Sequence, residues 1–343
     1  MKNNVCLRKF KYLFIAILAL STSFACQVQD KGIIMTVNGP ISSDEMGTTL
    51  MHEHVLVDFA GTDSINIRRW DLDVVTARVL PYLTELKKYD CMAYIECTPS
   101  YLGKDPELLK RLSDASGMHI LTNTGFYGVG NNRFLPPYAF TDTADELAKR
   151  WIDEWENGIG TTGIKPGFIK IGVDAGSLSE MQQKLVTSAA KAHLATGLVI
   201  MSHTGPSIPA FEQIDILRKE GVSPEAFIWT HAQSDNDLET HIKAARLGAW
   251  VALDGISDDN VDDYLRMIRN MKDNKLLNRI LISHDAGWYK PQEENGGTYR
   301  GHTALFEKLL PLLRENNFSE DEIHQLLVKN PALAFEVKVR RSK

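Results

Sequence analysis

Two histidines separated by one residue, His52 and His54, occur early in the chain within the apolar stretch 49–58. Side chains at alternate positions of a β-strand point to the same side, so the two imidazoles would project together. Neutral imidazole is a common ligand of zinc and similar divalent ions. The pair therefore indicates a metal site at the end of a buried strand. Taken alone, the motif is explained equally well by a half-buried or solvated pair.

Further polar residues interrupt or follow apolar runs that are typical of buried strands: Lys170, His203, His231 and Asp285. The steps from Lys170 to His203 and from His203 to His231 are each about 30 residues, the length of one strand–helix unit. Asp285 follows about two units later. Because active-site residues of a parallel barrel gather at the carboxyl ends of its strands, these side chains and the histidine pair would converge at one face.

The elements that must carry these residues alternate between strand and helix along the chain. The predicted strands cover residues 51–57, 91–96, 119–123, 168–173, 198–202, 226–230, 249–253 and 280–283. Helical periodicity fills the intervals between them and continues after the last strand. Eight strands that alternate with eight helices, without a doubly wound glycine fingerprint, predict an α/β fold of the (β/α)8 TIM-barrel type. One domain is expected over residues 33–337, opening with a short hairpin at 33–41.

Four histidines, one lysine and one aspartate are too many ligands for a single tetrahedral ion. They suit a pair of ions about 3.5–4 Å apart, provided that an anionic group bridges them. An ammonium cannot ligate a metal, but a Lys170 amine held between two cations would lose its proton. The free amine could then add carbon dioxide and form a carbamate with one oxygen for each ion. The alternative for Lys170 is a structural salt bridge, for example to Asp174 or Glu96.

The order and spacing of these motifs resemble the phosphotriesterase family of the amidohydrolase superfamily over nearly all of the chain that follows the N-terminal segment. The matching motifs are Gly39-Pro40-Ile41, Thr49-Leu50-Met51-His52-Glu53-His54, Thr122-Asn123-Thr124-Gly125-Phe126-Tyr127, Phe168-Ile169-Lys170, Ser202-His203-Thr204, Thr230-His231 and Ser283-His284-Asp285. The resemblance implies a barrel of the amidohydrolase type with two divalent metal ions, expected to be zinc. It implies that the inner ion is bound by His52, His54, carboxylated Lys170 and Asp285, and the outer ion by Lys170, His203 and His231.

The resemblance also implies a hydrolase in which a metal-bridging hydroxide attacks the substrate and Asp285 accepts a proton. A carboxylic ester, lactone or amide is favoured over a phosphoester. Tyr127, Trp288 and Tyr289 would form an aromatic wall for this small-molecule substrate. Lactonases of the family often carry an arginine where this chain has Gly255, which weakens an assignment to the acyl-homoserine lactonases. The competing class is an exported metal- or ligand-binding lipoprotein without turnover. Such a protein would be expected to lack one of the six metal-ligating residues, and none of them is missing.

The first residues predict export. Four cations precede a short apolar run, 12–20, and small residues follow it up to Cys26, as in a secretory signal of the lipoprotein type. We expect a signal peptide over 1–25, lipidation at Cys26 and a tether over 26–32, which would place the protein in the periplasm or on the cell surface. Membrane contact is expected only through this lipid. A net charge of −6 argues against a nucleic-acid partner, and the resemblance leaves a homodimer open.

Several other residues have structural interpretations. Cys91 and Cys97 are expected to be buried thiols rather than a disulfide, because a strand separates them too far. The histidines of predicted helices, His193, His241 and His324, are expected to be solvated. His284 is expected to support the metal ligands, and the position of His302 relative to the mouth of the barrel stays open.

Replacement of Cys26 tests the predicted lipid anchor. Because a serine cannot carry the thioether-linked lipid, the Cys26→Ser protein should move from the detergent phase to the aqueous phase after fractionation of the cells. Unchanged partitioning relative to the unmodified chain would contradict lipidation at this residue.

Overall fold

The computed structural model describes residues 32–62 and 69–343, and the segment Gly32–Lys343 forms one compact unit. The predicted signal peptide, Cys26 and nearly all of the predicted tether lie outside the described residues. The described chain opens with a hairpin in which β1 (Ile33–Thr36) pairs antiparallel with β2 (Gly39–Ser42). No helix of the described ranges combines the length and apolar character needed to cross a membrane.

The next strands form a parallel barrel with helices outside it. They are β3 (Thr48–Leu56), β4 (Cys91–Glu96), β5 (His119–Leu121), β6 (Asn123–Thr124), β7 (Phe168–Gly172), β8 (Ile200–His203), β9 (Phe227–Thr230), β10 (Trp250–Leu253), β11 (Ile280–Ile282) and β12 (Gly287–Tyr289). One sheet runs from β6 to β11 and the other contains β12, β3, β4 and β5. β5 and β6 form one interrupted barrel strand, and β11 and β12 form another, so the ten strands make eight barrel positions. The predicted (β/α)8 barrel is confirmed.

Backbone hydrogen bonds close the barrel between its last and first strands. The Asp285 N–H donates to the His52 carbonyl at 3.0 Å, and the His54 N–H donates to the Ala286 carbonyl at 2.9 Å. Beyond them β12 pairs in parallel with β3. The closure therefore joins the strand that carries the histidine pair to the segment that carries Asp285, and it sets their separation through the main chain.

The helices are α1 (Leu72–Glu85), α2 (Pro106–Ser116), α3 (Pro137–Thr141), α4 (Ala144–Asn157), α5 (Glu180–Thr196), α6 (Ser207–Lys219), α7 (Leu238–Arg246), α8 (Val261–Asp273), α9 (Leu310–Glu315), α10 (Glu320–His324) and α11 (Asn330–Phe335). Their ends follow local chemistry. Thr143 and Ser179 form capping boxes at the starts of α4 and α5, and Gly117 and Gly197 end α2 and α5 in the left-handed region. The helix predicted after the last strand begins as a π-helical turn, Leu305–Leu309, that continues into α9.

Two hydrophobic clusters fill the described part of the protein. The larger lies where the helices pack on the strands, and the smaller contains side chains from the barrel strands, such as Met51, Phe168 and Leu281. Ile34 of the hairpin and Phe335 of α11 belong to the smaller cluster, so these two elements cover one end of it. Polar side chains can therefore gather only at the other end, where the strands finish. Cys91 and Cys97 are buried free thiols, as expected.

A glycine after β6 allows a close approach to β7, the strand that carries Lys170. Gly125 has φ +112°, and a Cβ there would lie 2.1 Å from the Lys170 carbonyl oxygen. Gly125→Ala should therefore combine backbone strain with a main-chain collision and lower the melting temperature by at least about 5 °C, roughly 2 kcal/mol. Gly160→Ala is the control, because Gly160 also has positive φ but has open space around it. Equal shifts for the two variants in a thermal melt would contradict this account of Gly125.

Candidate metal centre

All six predicted ligands line one pocket at the carboxyl ends of the strands. The closest contacts within the group join the Asp285 carboxylate to His54 Nε2 at 3.0 Å, and His231 Nε2 to His203 Nδ1 at 2.8 Å. Asp285 Oδ1 also lies 3.7 Å from His52 Nε2. The ring nitrogens and the carboxylate thus converge on one small volume, as the sequence predicts.

Three of the imidazoles are oriented by an oxygen on the side away from this volume. His52 Nδ1 contacts Asp254 Oδ2 at 2.7 Å, and His231 Nδ1 contacts Asp254 Oδ1 at 2.8 Å. His54 Nδ1 lies 2.7 Å from the Thr98 hydroxyl, which itself donates to the Leu56 carbonyl. The Asp254 carboxylate can only accept a hydrogen bond, and the Thr98 hydroxyl must accept as well, because its proton is donated to the Leu56 carbonyl. The proton of each ring therefore lies on Nδ1, and the lone pair of Nε2 faces the centre of the site. Metal-binding histidines are commonly held in this way.

Glu53 fixes the main chain on both sides of Asp285. Its buried carboxylate accepts hydrogen bonds from the N–H of His284 at 3.0 Å and of Ala286 at 2.8 Å. The His284 ring also donates to it, in agreement with the supporting role expected for that residue. His302 is buried and contacts the same carboxylate at 3.1 Å, so it does not reach the mouth. Asp285 has φ +53°, an unusual conformation for a residue with a side chain, and the Glu53 contacts stabilise it.

At His52, His203 and Asp285, burial and neighbouring charges favour protonation states that suit metal binding. At His231, burial lowers the pKa, but the Asp254 carboxylate raises it above the usual imidazole value. Burial, together with the positive charge of Lys170, lowers the pKa of His52 to about 4, so this imidazole is neutral at physiological pH. Burial and the neighbouring His231 lower the pKa of His203 well below its usual range. Burial alone would raise the pKa of Asp285, but the adjacent His52 and His54 lower it below the ordinary carboxyl value. Neutral imidazoles and an ionised carboxylate are the forms that bind divalent ions.

The salt-bridge alternative for Lys170 has no support among the described residues. Lys170 is 2% exposed and its Nζ lies 3.4 Å from His52 Nε2. The Asp174 carboxylate instead accepts from the Gly130 N–H at 2.7 Å. Glu96 accepts from the N–H of Val55 and of Thr98, each at 3.2 Å, and burial raises the pKa of its carboxyl to about 7. The lysine is therefore directed toward the histidines and away from both proposed partners.

The three predicted substrate residues fall into two groups. Tyr127 and Trp288 line the pocket: the Tyr127 hydroxyl lies 3.1 Å from His203 Nδ1, and the Trp288 ring packs edge-on against His54. Tyr289 requires a correction, because it is buried in the hydrophobic core and does not line the pocket. Alternation along β12 turns its side chain away from that of Trp288.

The expectation of solvated histidines on the helices is corrected at two positions. His193 is buried, and its Nδ1 donates to the Leu198 carbonyl at 2.8 Å. His241 is also buried and contacts the Ala232 carbonyl at 2.8 Å through Nε2. Each ring thus replaces a water contact with a main-chain hydrogen bond, whereas His324 is exposed as expected.

The residues present fit divalent metal ions. Asp285 Oδ1 is buried and has no hydrogen-bond partner among the described residues. His52, His54 and Asp285 offer ligand atoms within 4.8 Å of one another. Nitrogen and carboxylate donors so arranged match the preference of zinc-type ions.

The comparisons with known proteins agree with the fold and with the predicted family. The model of the phosphotriesterase family matches residues 32–335. The phosphotriesterase homology protein of Escherichia coli is 30% identical over 301 residues, covering 86% of this chain and 100% of that protein. An organophosphorus hydrolase from Deinococcus radiodurans has the same fold, with a TM-score of 0.80 at 24% identity, covering 89% of this chain and 97% of that one. The chain belongs to the phosphotriesterase family, a family of hydrolases, and the predicted resemblance is confirmed.

Two further relatives carry names that state a reaction. The aryldialkylphosphatase of Saccharolobus solfataricus is 26% identical over 310 residues, covering 86% of this chain and 96% of that protein. The phospho-furanose lactonase of Mycoplasmopsis synoviae is 26% identical over 333 residues, covering 88% of this chain and 92% of that protein. The family thus contains both phosphoester and lactone hydrolases.

Sequence reasoning missed Asp254, Glu53 and Phe59. Asp254 directly follows β10, so its place at the end of an apolar strand was a usable signal. Glu53 stands between the two histidines in the printed motif, yet its partners lie about 230 residues away in sequence. Phe59 lines the pocket from the loop after β3 and has no distinguishing pattern in the sequence.

Asp254→Asn tests the orientation of His52 and His231. An amide can accept from one Nδ1–H, but its N–H₂ group would face the other as a second donor. One imidazole should therefore turn or change tautomer, and metal affinity should fall by about 10- to 100-fold. The measurement is chelator competition at fixed pH, with the exposed Asp273→Asn as the control. Unchanged affinity in Asp254→Asn would contradict the assigned role.

Proposed function

We propose that this protein is a metal-dependent hydrolase that uses two divalent ions, expected to be zinc, to cleave a carboxylic ester, lactone or amide. The observation that supports this most strongly is the oriented histidine set. The outer nitrogens of His52, His54 and His231 are occupied by Asp254 or Thr98, which leaves Nε2 of each directed at the same volume. A barrel that needed these histidines only for packing would have no reason to direct three lone pairs at one point.

Two divalent ions bound there would supply a water-derived nucleophile at neutral pH and a Lewis acid. The protein's own groups would do the rest. Asp285 Oδ1, with no hydrogen-bond partner of its own among the described residues, is the group placed to accept a proton. Tyr127 would orient the substrate beside His203 through its hydroxyl. Trp288, packed against His54, would exclude water from one side of the site.

The lining of the pocket supports an acyl substrate of modest size. Val57, Phe59, Leu102 and Trp288 give it an apolar wall, which suits an uncharged acyl or ring portion. The lactonase among the relatives supports a lactone, and the aryldialkylphosphatase keeps a phosphoester as the second candidate. Gly255 stands where lactonases of the resemblance often carry arginine, so an acyl-homoserine lactone is not the substrate that we favour.

Turnover is favoured over simple binding. A binding protein without turnover would be expected to lack one of the six ligand residues, and all six line one pocket here. We further propose that the mature protein is exported and anchored by a lipid at Cys26, that it meets only a small-molecule substrate, and that a homodimer is compatible with this role.

Lys170 variants test the two-metal proposal. Lys170→Arg should abolish hydrolysis of lactones, esters, N-acyl compounds and phosphotriesters alike, because guanidinium stays protonated and cannot form a carbamate. Lys170→Ala should lose activity and regain part of it in high concentrations of acetate or propionate, which supply two oxygens. As a control, acetate or propionate should not raise the activity of the unmodified protein. An active Lys170→Arg enzyme would contradict the bridge, and a metal-loaded parent protein inactive on the whole panel would contradict the proposed hydrolase.

A further inference from the structure

A second cleft of about 400 Å³ opens beside the metal centre. Asp285 and Trp288 belong to the lining of both spaces, so a substrate at the metal centre could extend into this cleft. The remaining lining includes Lys290, Thr298 and Arg300. We propose that this cleft binds an anionic group of the substrate, a carboxylate, sulfonate or phosphate, through Arg300. The proposal rests on the proposed function, since it concerns the other end of the hydrolysed molecule.

Arg300 is held in place but keeps most of its donors. Its Nη2 donates to the Asp285 carbonyl at 2.7 Å and also to the His284 carbonyl. Its main chain exchanges two hydrogen bonds with Gly287, at 3.0 and 3.1 Å. No hydrogen bond from its Nε or Nη1 is present in the part of the chain that the structure describes. A guanidinium that is fixed through one nitrogen and free at the others is suited to bidentate binding of an oxyanion.

The charges around the cleft favour an anion. Lys290 forms an ion pair with Glu293 at 2.9 Å, so its charge is partly compensated and Arg300 is the main cation. Thr298 is exposed and adds a hydroxyl to the lining. The only carboxylate among the lining residues is that of Asp285, and its side chain is turned toward the histidines of the metal centre. An anion in the cleft would therefore meet two cations, and the one carboxylate of the lining is turned away from it.

Gly255 borders the cleft on the side of β10. A Cβ there would lie 2.7 Å from the Tyr264 hydroxyl oxygen and 2.8 Å from Gln233 Nε2. Neither neighbour is free to move, because Tyr264 accepts from the Gly255 N–H at 2.8 Å and Gln233 donates to Asp254 at 3.1 Å. A larger residue would thus disturb the contacts of Asp254, so this position in the lining of the cleft is restricted to glycine.

Trp288 separates an apolar side of the site from this cationic side. Its ring lies 5.8 Å from that of Phe59 on the apolar side, and its Nε1 donates to the Asp285 carbonyl at 3.1 Å. The geometry therefore suits a substrate whose reacting bond lies at the metals, whose apolar part contacts Phe59, and whose acidic group reaches Arg300. A neutral substrate would leave the guanidinium without an anion.

Two lactones that differ in one substituent test this inference. The probes are γ-valerolactone and γ-butyrolactone-γ-carboxylate, in which a methyl group is replaced by a carboxylate, and hydrolysis is followed by acid release. The metal-loaded enzyme should prefer the carboxylate probe in kcat/KM, and 0.5 M NaCl should weaken this preference. Arg300→Gln should lower the ratio of the two kcat/KM values at least tenfold, because a charge-assisted hydrogen bond is lost. Arg266→Gln, which removes an exposed cation of α8, should leave the ratio unchanged.

The ratio of the two kcat/KM values distinguishes anion binding by Arg300 from a purely structural role of this residue. If the arginine only supported the carbonyls of His284 and Asp285, its loss would slow both lactones equally, and that result would overturn the inference. A parent enzyme that prefers γ-valerolactone would overturn it as well. If neither lactone is hydrolysed, calorimetric titration with the carboxylate probe replaces the kinetic test. Binding at least tenfold weaker in Arg300→Gln would support the anion site although the proposed reaction had failed, and equal binding would refute it.

Discussion

A single buried carboxylate joins two distant strands of the barrel and orients the centre between them. Asp254 is completely buried and contacts His52 of β3 and His231 after β9 through its two oxygens. Burial alone would raise the pKa of this carboxyl, but the two imidazoles lower it well below its usual value, so the group is ionised. A buried charge is tolerated only when it is paired and hydrogen-bonded. The same contacts that satisfy the charge turn both Nε2 atoms to one point, so the stability of this region and the geometry of the metal centre depend on one interaction.

The sequence was sufficient for the barrel and the candidate ligands, for a physical reason. Strands of a parallel barrel are apolar along their length, so a lysine within one, such as Lys170, or a histidine that follows one, such as His231, stands out. The topology brings all strand ends to one face, so no long-range distance has to be known. Period-two alternation placed His52 and His54 together, although β3 is not a regular strand: Met51 and His52 stand opposite a single residue of β4 in a register shift.

The remaining contacts depend on pairings that no local pattern reveals. Asp254 meets His52 across about 200 residues, and Glu53 meets the chain around Asp285 across about 230. Their side chains could have been read as surface acids, since only the closed barrel shows that they are buried. The sequence also predicts that Tyr289 belongs to the aromatic wall of the pocket, but alternation along β12 directs its side chain into the core. The ligands at the ends of strands can thus be predicted from a sequence. The residues that hold those ligands in place can be identified only once the fold is known.

The central claim is that the converging side chains form a site for two divalent ions in a working enzyme. Elemental analysis of the purified, catalytically active protein tests this most directly, because it counts the ions without reference to any substrate model. The account predicts two divalent ions per chain, removed by a chelator together with activity and restored together with it. Full activity in protein that contains one ion per chain, or none, would contradict it.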